Sequence, residues 1–455
     1  MIQPSSPPLR TYDDLLRLFQ ESETPKPDYA VGPEMEKFGI IAATGEPLPY
    51  KGERGVLALF DVLSRDFGWK PESEYAGGPP LLLNGHLGSI TLEPGAQFEL
   101  SGKAVKTIHE IDEQFRRHLR ELENVSRALG IRWLGVGFHP FARREDLEWV
   151  PKLRYEVMRK YLPTRGAHAL DMMLRTATVQ ANFDFADERT AMRQMRVALA
   201  LTPFVTAMFA NSPWKEGKRH EGLSYRARVW LDVDPDRSGL IPNLWKKNAG
   251  YADYVEWALD APMFLFKRDG HIVPNTGQTF RSFWKDGFQE HRATSADWEL
   301  HLNTLFPEVR LKRTVEVRGA DSQRTELASA LVALWVGILY DERAFDEAEA
   351  LVDGFQHDEL AALREQTWIR GLAAEFRGKS IVTVAESIVE IARRGLERRA
   401  ERDETGRDET IFLARLAHLV SRGMTPAEAM LQEQGTMPLA RYLFERGSLL
   451  PPLPQ

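Results

Sequence analysis

The chain contains no cysteine among its 455 residues. This absence excludes disulfide bonds, thiolate metal ligands, a cysteine nucleophile and any thiol-based redox switch. The chain also lacks an excess of basic residues, because its formal net charge is -7, so it shows no basic footprint for a nucleic-acid partner. Stability must therefore come from a buried core, which a hydrophobic content of 43% can supply.

Long apolar runs and the common nucleotide-binding motifs are absent as well. The longest apolar runs, residues 198–210 and 331–340, are too short to cross a bilayer and predict buried helices, so no membrane association is expected. The sequence has no phosphate-binding G-x-x-x-x-G-K-[ST] loop, no complete G-x-G-x-x-G, no H-E-x-x-H and no G-x-S-x-G. If ATP binds, carboxylates that share metal ions with its phosphates must hold it.

Residues 89–101 show the clearest pattern that is present. Polar and apolar side chains alternate there, so an extended chain would place Glu93, Gln97 and Glu99 on one face and the apolar residues on the other. Pro94-Gly95 interrupts a simple ladder and predicts a bulge or sharp bend, which could aim the two carboxylates. An acidic face of this kind favours a hard cation.

Three further segments, residues 31–40, 176–185 and 312–321, are predicted strands with one polar face. The side chains concerned are Glu34 and Glu36 in the first, Gln180 and Asn182 in the second, and Lys312, Glu316 and Arg318 in the third. Taken singly, each pattern is also explained by an ordinary solvent-facing strand or a surface ladder of ion pairs. Taken together, they predict a curved sheet whose concave face holds divalent ions. A ligand set of carboxylates alone favours Mg²⁺, or Mn²⁺, over Zn²⁺.

Several arginines stand next to these strands. Arg175 directly precedes the predicted strand 176–185, Arg226 and Arg228 lie close together, and Arg318 lies on the polar face of the predicted strand 312–321. Guanidinium groups match carboxylate and phosphate geometry, so an acid substrate and a phosphate-bearing one are chemically consistent with them. Taken alone, each arginine is better explained as a structural ion-pair partner.

The order of the predicted elements is mixed, which indicates an α+β fold. Residues 12–21, 106–129 and 191–210 have helical spacing, whereas residues 131–138 are typical of a buried strand. We predict a tail and helix over residues 1–30, a catalytic sheet-and-helix core over 30–340, and a mainly helical region packed on that core over 341–455.

Five motifs of the chain resemble the plant and proteobacterial branch of glutamate-cysteine ligase. They are EMEKFG at 34–39, SITLEPGAQFELSG at 89–102, LDMMLRTATVQANFD at 170–184, FANSP at 209–213 and FPEVRLKRTVEVRGAD at 306–321. The resemblance extends in matching order from about residue 30 to about residue 435. It implies a glutamine-synthetase-like catalytic fold, in which a curved, largely antiparallel sheet carries the site on its concave face and helices pack behind.

The resemblance also implies an activity. It is the ATP- and Mg²⁺-dependent joining of the γ-carboxylate of L-glutamate to the amino group of L-cysteine through a γ-glutamyl phosphate, the first step of glutathione biosynthesis. A related ligase that joins glutamate to a different amine is the alternative, because no sequence feature identifies the pocket for the thiol. A binding protein without catalysis is disfavoured because the acidic set and Arg318 are complete. The expected assembly is a monomer or a homodimer.

Individual roles follow from the resemblance by motif position. It implies Glu34, Glu36, Glu93, Glu99 and Glu316 as metal ligands, Gln180, Lys312 and Arg318 near the nucleotide phosphates, and Arg318, Glu93 and Glu316 as catalytic residues. For the substrate it implies Arg175 and Arg226 on carboxylates, Asn182 in positioning and Trp230 as a pocket wall. The cysteine pairs and plastid transit peptide of plant members are missing, so the expected location is cytoplasmic.

Overall fold

A nine-stranded sheet lies at the centre of the computed structural model, which describes residues 6–246 and 248–449. Residues 1–5 of the predicted N-terminal tail and residues 450–455 of the predicted C-terminal region lie outside the described residues. The strands are β1 (Val31–Ile41), β2 (Lys70–Glu72), β3 (Leu82–Gly85), β4 (Gly88–Leu92), β5 (Phe98–Gly102), β6 (Ile131–Leu134), β7 (Val179–Phe183), β8 (Trp214–Lys215), β9 (Lys218–Arg219), β10 (Ser238–Gly239), β11 (Leu265–Arg268), β12 (His271–Pro274), β13 (Phe306–Pro307), β14 (Val309–Leu311), β15 (Val315–Val317), β16 (Glu375–Phe376) and β17 (Lys379–Ser380).

Helices surround the sheet and make up most of the remaining regular structure. They are α1 (Tyr12–Gln20), α2 (Val56–Phe67), α3 (Ile108–Leu129), α4 (Leu153–Tyr161), α5 (Ala169–Arg175), α6 (Glu188–Met208), α7 (Tyr225–Trp230), α8 (Tyr251–Asp260), α9 (Phe280–Asp286), α10 (Ser295–Leu302), α11 (Thr325–Leu339), α12 (Glu342–Val352), α13 (His357–Arg370), α14 (Val382–Arg399), α15 (Ala414–Ser421), α16 (Pro426–Gln434) and α17 (Leu439–Tyr442). The predicted α+β class is confirmed.

The sheet is antiparallel, and its strand order is β14-β15-β7-β1-β5-β4-β3-β2, with β6 paired to the second half of β1. Because side chains alternate along each strand, the apolar residues of these strands face one side. Met35, Phe98, Val179 and Val315 are fully buried there, where α3 packs on β5, α11 on β1 and β7, and α6 on β15. The polar residues are left on the opposite face.

Residues 89–101 form a hairpin and not the single bent strand that was predicted. β4 pairs with β5 in the register Ile90↔Leu100 and Leu92↔Phe98, and Glu93–Gln97 form the turn. A Cβ on Gly95 would lie 2.3 Å from the carbonyl oxygen of Leu174, so glycine is required for this close approach. A proline-glycine pair is compatible with a bulge or with a turn, and packing against α5 selects the turn.

The turn also removes Gln97 from the acidic face. Its buried side chain accepts a hydrogen bond from the Gly95 amide (2.8 Å) and donates to the carbonyls of Met173 (3.1 Å) and Thr176 (2.9 Å). Gln97 therefore joins the turn to the end of α5. The strands predicted at 131–138 and 176–185 were too long, because β6 and β7 each end within those ranges.

The C-terminal helices share the main hydrophobic core with the sheet. Leu360 on α13, Ile388 on α14 and Leu416 on α15 belong to the same buried cluster as Met35 and Val179 of the sheet. This packing agrees with a helical region that lies on the core, while the proposed boundaries at residues 30 and 340 stay predictions. In the described part of the chain, no helix combines the length and apolar character that a membrane span requires.

Candidate active site

The register of the central strands brings the predicted polar residues onto one face. Glu34 of β1 stands opposite Gln180 of β7 and Ser101 of β5, and Glu36 stands opposite Glu99. On the neighbouring strand, Glu316 is paired with Asn182. Carboxylates that are up to 282 positions apart in the sequence, Glu34 and Glu316, thereby come to line one cavity of about 540 Å³.

This cavity, which we call the acidic compartment, collects most of the predicted site. Its walls contain Glu34, Glu36, Glu93, Glu99, Gln180, Glu316 and Arg318. A smaller cavity of about 100 Å³, the inner compartment, is lined by Tyr155, Met158, Met172, Met173, Thr176, Thr178, Arg226 and Trp230. The two share Glu36, Glu93, Arg154, Asn303, Phe306 and Arg318. A group bound in one compartment can therefore meet a group bound in the other at this shared wall.

Three carboxylates of the acidic compartment carry more negative charge than their surroundings balance. Burial, followed by repulsion from Glu99 and Glu316, raises the pKa of Glu34 to about 7. Burial and repulsion from Glu99 and Glu93 raise the pKa of Glu36 well above its usual value. The pKa of Glu99 is raised by burial and by Glu93. A cation bound beside these three carboxylates would stabilise their ionised forms and lower their pKa values.

The Glu36 carboxylate is nevertheless held in one orientation by a hydrogen bond to each of its oxygens. Its Oε2 accepts a hydrogen bond from the Thr178 amide (2.9 Å), and its Oε1 accepts one from Gln180 Nε2 (3.3 Å). Glu34 is held by Asn182, whose Nδ2 donates to Glu34 Oε1 at 2.9 Å. Asn182 therefore positions a carboxylate, and it is not among the residues that line either compartment.

Glu316 is in a different electrostatic setting from the other carboxylates. It receives two hydrogen bonds from Arg310 (2.7 and 2.9 Å) and one from Arg318 (2.5 Å), and Lys312 Nζ lies 3.2 Å away. Burial acts to raise the pKa of Glu316, but these three cations outweigh burial and hold the pKa well below its usual value. In this structure Glu316 organises cations around the compartment.

The predicted magnesium site depends on whether the side chains of the acidic compartment are suitable metal ligands. No three carboxylate or imidazole groups of residues 6–246 and 248–449 are arranged as a formed metal site. The donor set itself fits a hard divalent cation, because Glu34, Glu36, Glu93 and Glu99 supply only oxygen ligands and three of them repel one another. Magnesium binding at these residues therefore stays a prediction.

Arg154 is a residue of the shared wall whose role the sequence did not reveal. Its Nε is buried without a hydrogen-bond partner, and its Nη2 donates only to the Tyr155 hydroxyl at 3.3 Å. Arg318, in contrast, is fixed by Gln180 (2.7 Å) and Glu316. Arg154 thus lines both compartments and makes few hydrogen bonds within the protein. The 151–155 run PKLRY was the only signal, and a lone arginine is more often structural.

The predicted substrate-binding residues divide into two groups. Arg226 and Trp230 line the inner compartment, with the Arg226 guanidinium 5.6 Å from the Trp230 ring. Arg175 does not reach either compartment: its buried guanidinium is bound to Asp171 (2.8 Å), Glu216 (2.8 Å) and the Ala142 carbonyl (3.0 Å). The assignment of Arg175 to a substrate carboxylate is therefore withdrawn.

Comparison with known proteins assigns the chain that forms this cavity to a family. The sequence model of glutamate-cysteine ligase family 2 matches residues 30–442. The chain belongs to this family. It is 40% identical over 425 residues to the chloroplastic glutamate-cysteine ligase of Brassica juncea, covering 93% of this chain and 80% of that protein. The chloroplastic ligase B of Oryza sativa subsp. japonica is 39% identical over 427 residues, which cover 92% and 83% of the two chains.

A solved structure supports the fold of this family member. The glutamate-cysteine ligase of Francisella tularensis, determined at 2.0 Å in complex with AMP, superposes with a TM-score of 0.50 at 12% identity and covers 91% of this chain and 86% of that chain. The likeness confirms the expected glutamine-synthetase-like fold.

The expected cytoplasmic location is contradicted by the same comparison. The Brassica juncea and Oryza sativa relatives are named as chloroplastic enzymes, as is that of Arabidopsis thaliana, which is 40% identical over 425 residues. These names place the relatives in a plastid, and the prediction of a cytoplasmic location is not kept. The N-terminal residues were therefore not a sufficient basis for predicting a location.

We expect the free energy of unfolding of the metal-free protein to fall, relative to the Glu34→Gln variant, between pH 4.5 and about 7. In this window the unfolded chain ionises Glu34 while the folded protein keeps it protonated, because the folded pKa is about 7 against an ordinary 4.5. The fall should amount to about 2–3 kcal/mol, and urea unfolding at several pH values measures it.

Glu72→Gln is the control, because Glu72 is exposed on β2 at the rim of the same cavity. Its difference from the wild type should not vary over this window. A Glu34→Gln difference that is equally independent of pH would contradict the charge surplus assigned to the acidic compartment.

Proposed function

We propose that this family member is an ATP- and Mg²⁺-dependent ligase that joins the γ-carboxylate of L-glutamate to the amino group of L-cysteine. The γ-carboxylate oxygen attacks the γ-phosphorus of ATP and ADP leaves; the amine then attacks the acyl carbon of γ-glutamyl phosphate and phosphate leaves. The observation that carries the proposal is the wall shared by the acidic and inner compartments, where both steps can occur.

The acidic compartment is suited to the triphosphate. Glu34, Glu36, Glu93 and Glu99 are the residues that would hold Mg²⁺ there. The chemistry that Mg²⁺ supplies when bound is neutralisation of the charge on the phosphate oxygens. Arg310 and Arg318 add positive charge to the lining of the same compartment, and Lys312, which is not among its lining residues, joins them around Glu316. We assign Gln180 and Lys312 to the neighbourhood of the phosphates.

The inner compartment is suited to the amino-acid substrates. Its buried Arg226 offers charge for a substrate carboxylate, and Trp230 forms part of the wall. Arg154 and Arg318 both lie where this compartment meets the acidic one. We assign Arg318 to the transferring phosphoryl group and Arg154 to a carboxylate or phosphoryl oxygen beside it, because two guanidinium groups can stabilise the charge that develops there.

Release of ADP from ATP should require glutamate and an acceptor amine together. With glutamate and Mg²⁺ present, we expect cysteine to support turnover far above that with other amines in a panel of amino acids, and the assay is ADP release with identification of the product by mass spectrometry. Preference for another amine would select the related-ligase alternative. Absence of turnover with every amine would contradict the proposal.

Arg154→Gln should lower kcat/KM for glutamate by about a hundredfold or more, because it removes a half-buried cation from the reacting groups. Steady-state kinetics measure the loss. Arg159→Gln is the matched control, since Arg159 is exposed on the same helix and stacks on Trp149 outside both compartments. A kcat/KM close to that of the wild type in Arg154→Gln would remove Arg154 from the site.

A further inference from the structure

Separate sequence motifs converge on one buried carboxylate, that of Asp321, which is 1% exposed. Asp321 Oδ2 accepts hydrogen bonds from the Asn211 amide (2.8 Å) and the Ser212 hydroxyl (2.7 Å), and Oδ1 accepts one from the Ser224 hydroxyl (2.8 Å). The fit is tight, because a Cβ on Gly137 would lie 2.2 Å from Asp321 Cγ. Asp321 lines neither compartment.

The two serines bound by Asp321 fix the start of α7. Ser224 is the N-cap residue of this helix, and its hydroxyl oxygen accepts a hydrogen bond from the Ala227 amide at 3.0 Å. The Ser212 hydroxyl oxygen accepts one from the Arg226 amide at 3.2 Å. Because each hydroxyl also donates to Asp321, the carboxylate orients both of them toward the helix.

A side chain of α7, that of Arg226, also contacts the loop that carries Asp321. Arg226 Nη2 donates to the carbonyl oxygen of Arg318 (2.7 Å), and Nη1 donates to that of Gly319 (3.2 Å). The helix is thus tied to residues 318–321 at two places, through its N-cap and through a side chain. Helix and loop form a closed hydrogen-bonded unit that holds the site residues Arg226, Trp230 and Arg318.

We propose that Asp321 is a positioning residue of the inner compartment, which locks α7 and the 318–321 loop together so that Arg226 and Arg318 keep the spacing that glutamate requires. The inference rests on the proposed function for the identity of the substrate. Burial raises the pKa of the Asp321 carboxylate, while the charge of Arg226 and the three hydrogen bonds act in the opposite direction. A carboxylate at this position can accept all three hydrogen bonds, whereas an amide cannot.

Asp321→Asn should raise the KM for glutamate by at least about tenfold and lower kcat, because one oxygen that accepts from main-chain and hydroxyl donors is lost. The KM for ATP should change by less than about twofold, since the carboxylates Glu34, Glu36 and Glu99 of the acidic compartment stand on β1 and β5 and not on the 318–321 loop. Glu409→Gln is the matched control: Glu409 is also a fully buried carboxylate, accepts from the Ile108 amide at the start of α3, and lies outside both compartments. It should leave both KM values unchanged.

Two further measurements separate positioning from general destabilisation. Asp321→Asn combined with Arg226→Lys should be less damaging than the product of the single effects, because both act on the same unit. Amide hydrogen exchange over residues 225–230 should be at least about tenfold faster in Asp321→Asn and unchanged in Glu409→Gln. If Asp321→Asn does not fold, Ser224→Ala removes one of the three bonds and should shift the same quantities in the same direction.

The exchange measurement needs no catalysis, so it distinguishes failure of this inference from failure of the proposed function. A wild type without ligase activity but with exchange that depends on Asp321 would contradict the function alone. Equal changes in the two KM values, additive effects with Arg226→Lys, or unchanged exchange over α7 would each overturn the positioning role.

Discussion

A surplus of buried negative charge on one face of the central sheet is the constraint around which this structure is organised. The antiparallel register brings Glu34, Glu36 and Glu99 together, and burying carboxylates is costly unless cations accompany them. The protein meets this cost for Glu316 with Arg310, Lys312 and Arg318. Glu34, Glu36 and Glu99 have no such ion-pair partners. Their pKa values are raised because burial and mutual repulsion are not offset.

A buried lysine, Lys37, lies on the apolar face of the same sheet. Lys37 follows Glu36 in β1 and points into the core, where its ammonium donates to the carbonyls of Met35 (2.9 Å) and Phe98 (3.2 Å) and lies 3.1 Å from His118 Nε2. Burial lowers the pKa of Lys37 to about 7, while the charges of Glu99 and Glu36 act in the opposite direction. The carboxylates on one face of the strands therefore favour the charged form of a lysine buried behind them, although no ion pair joins them.

Much of the acidic face could be predicted from the sequence, because alternation along a strand assigns each residue to a face without knowledge of its neighbours. Glu34 with Glu36, and Glu316 with Arg318, were placed correctly in this way. The partners of a cation depend on tertiary packing, which is why Arg175 was assigned to a substrate and Arg154 was overlooked. Alternation also cannot distinguish a bent strand from a hairpin, so it predicts a bent strand over residues 89–101, where the close approach of Leu174 to Gly95 produces a hairpin.

The central claim is that a divalent cation balances the charge of Glu34, Glu36 and Glu99. Its most direct test is the anomalous scattering of Mn²⁺ in crystals grown with Mn²⁺ and a non-hydrolysable ATP analogue. The account predicts a peak within about 2.5 Å of carboxylate oxygens from at least two of these residues, the distance range of oxygen ligation. A bound nucleotide whose Mn²⁺ lies away from all three carboxylates would contradict it.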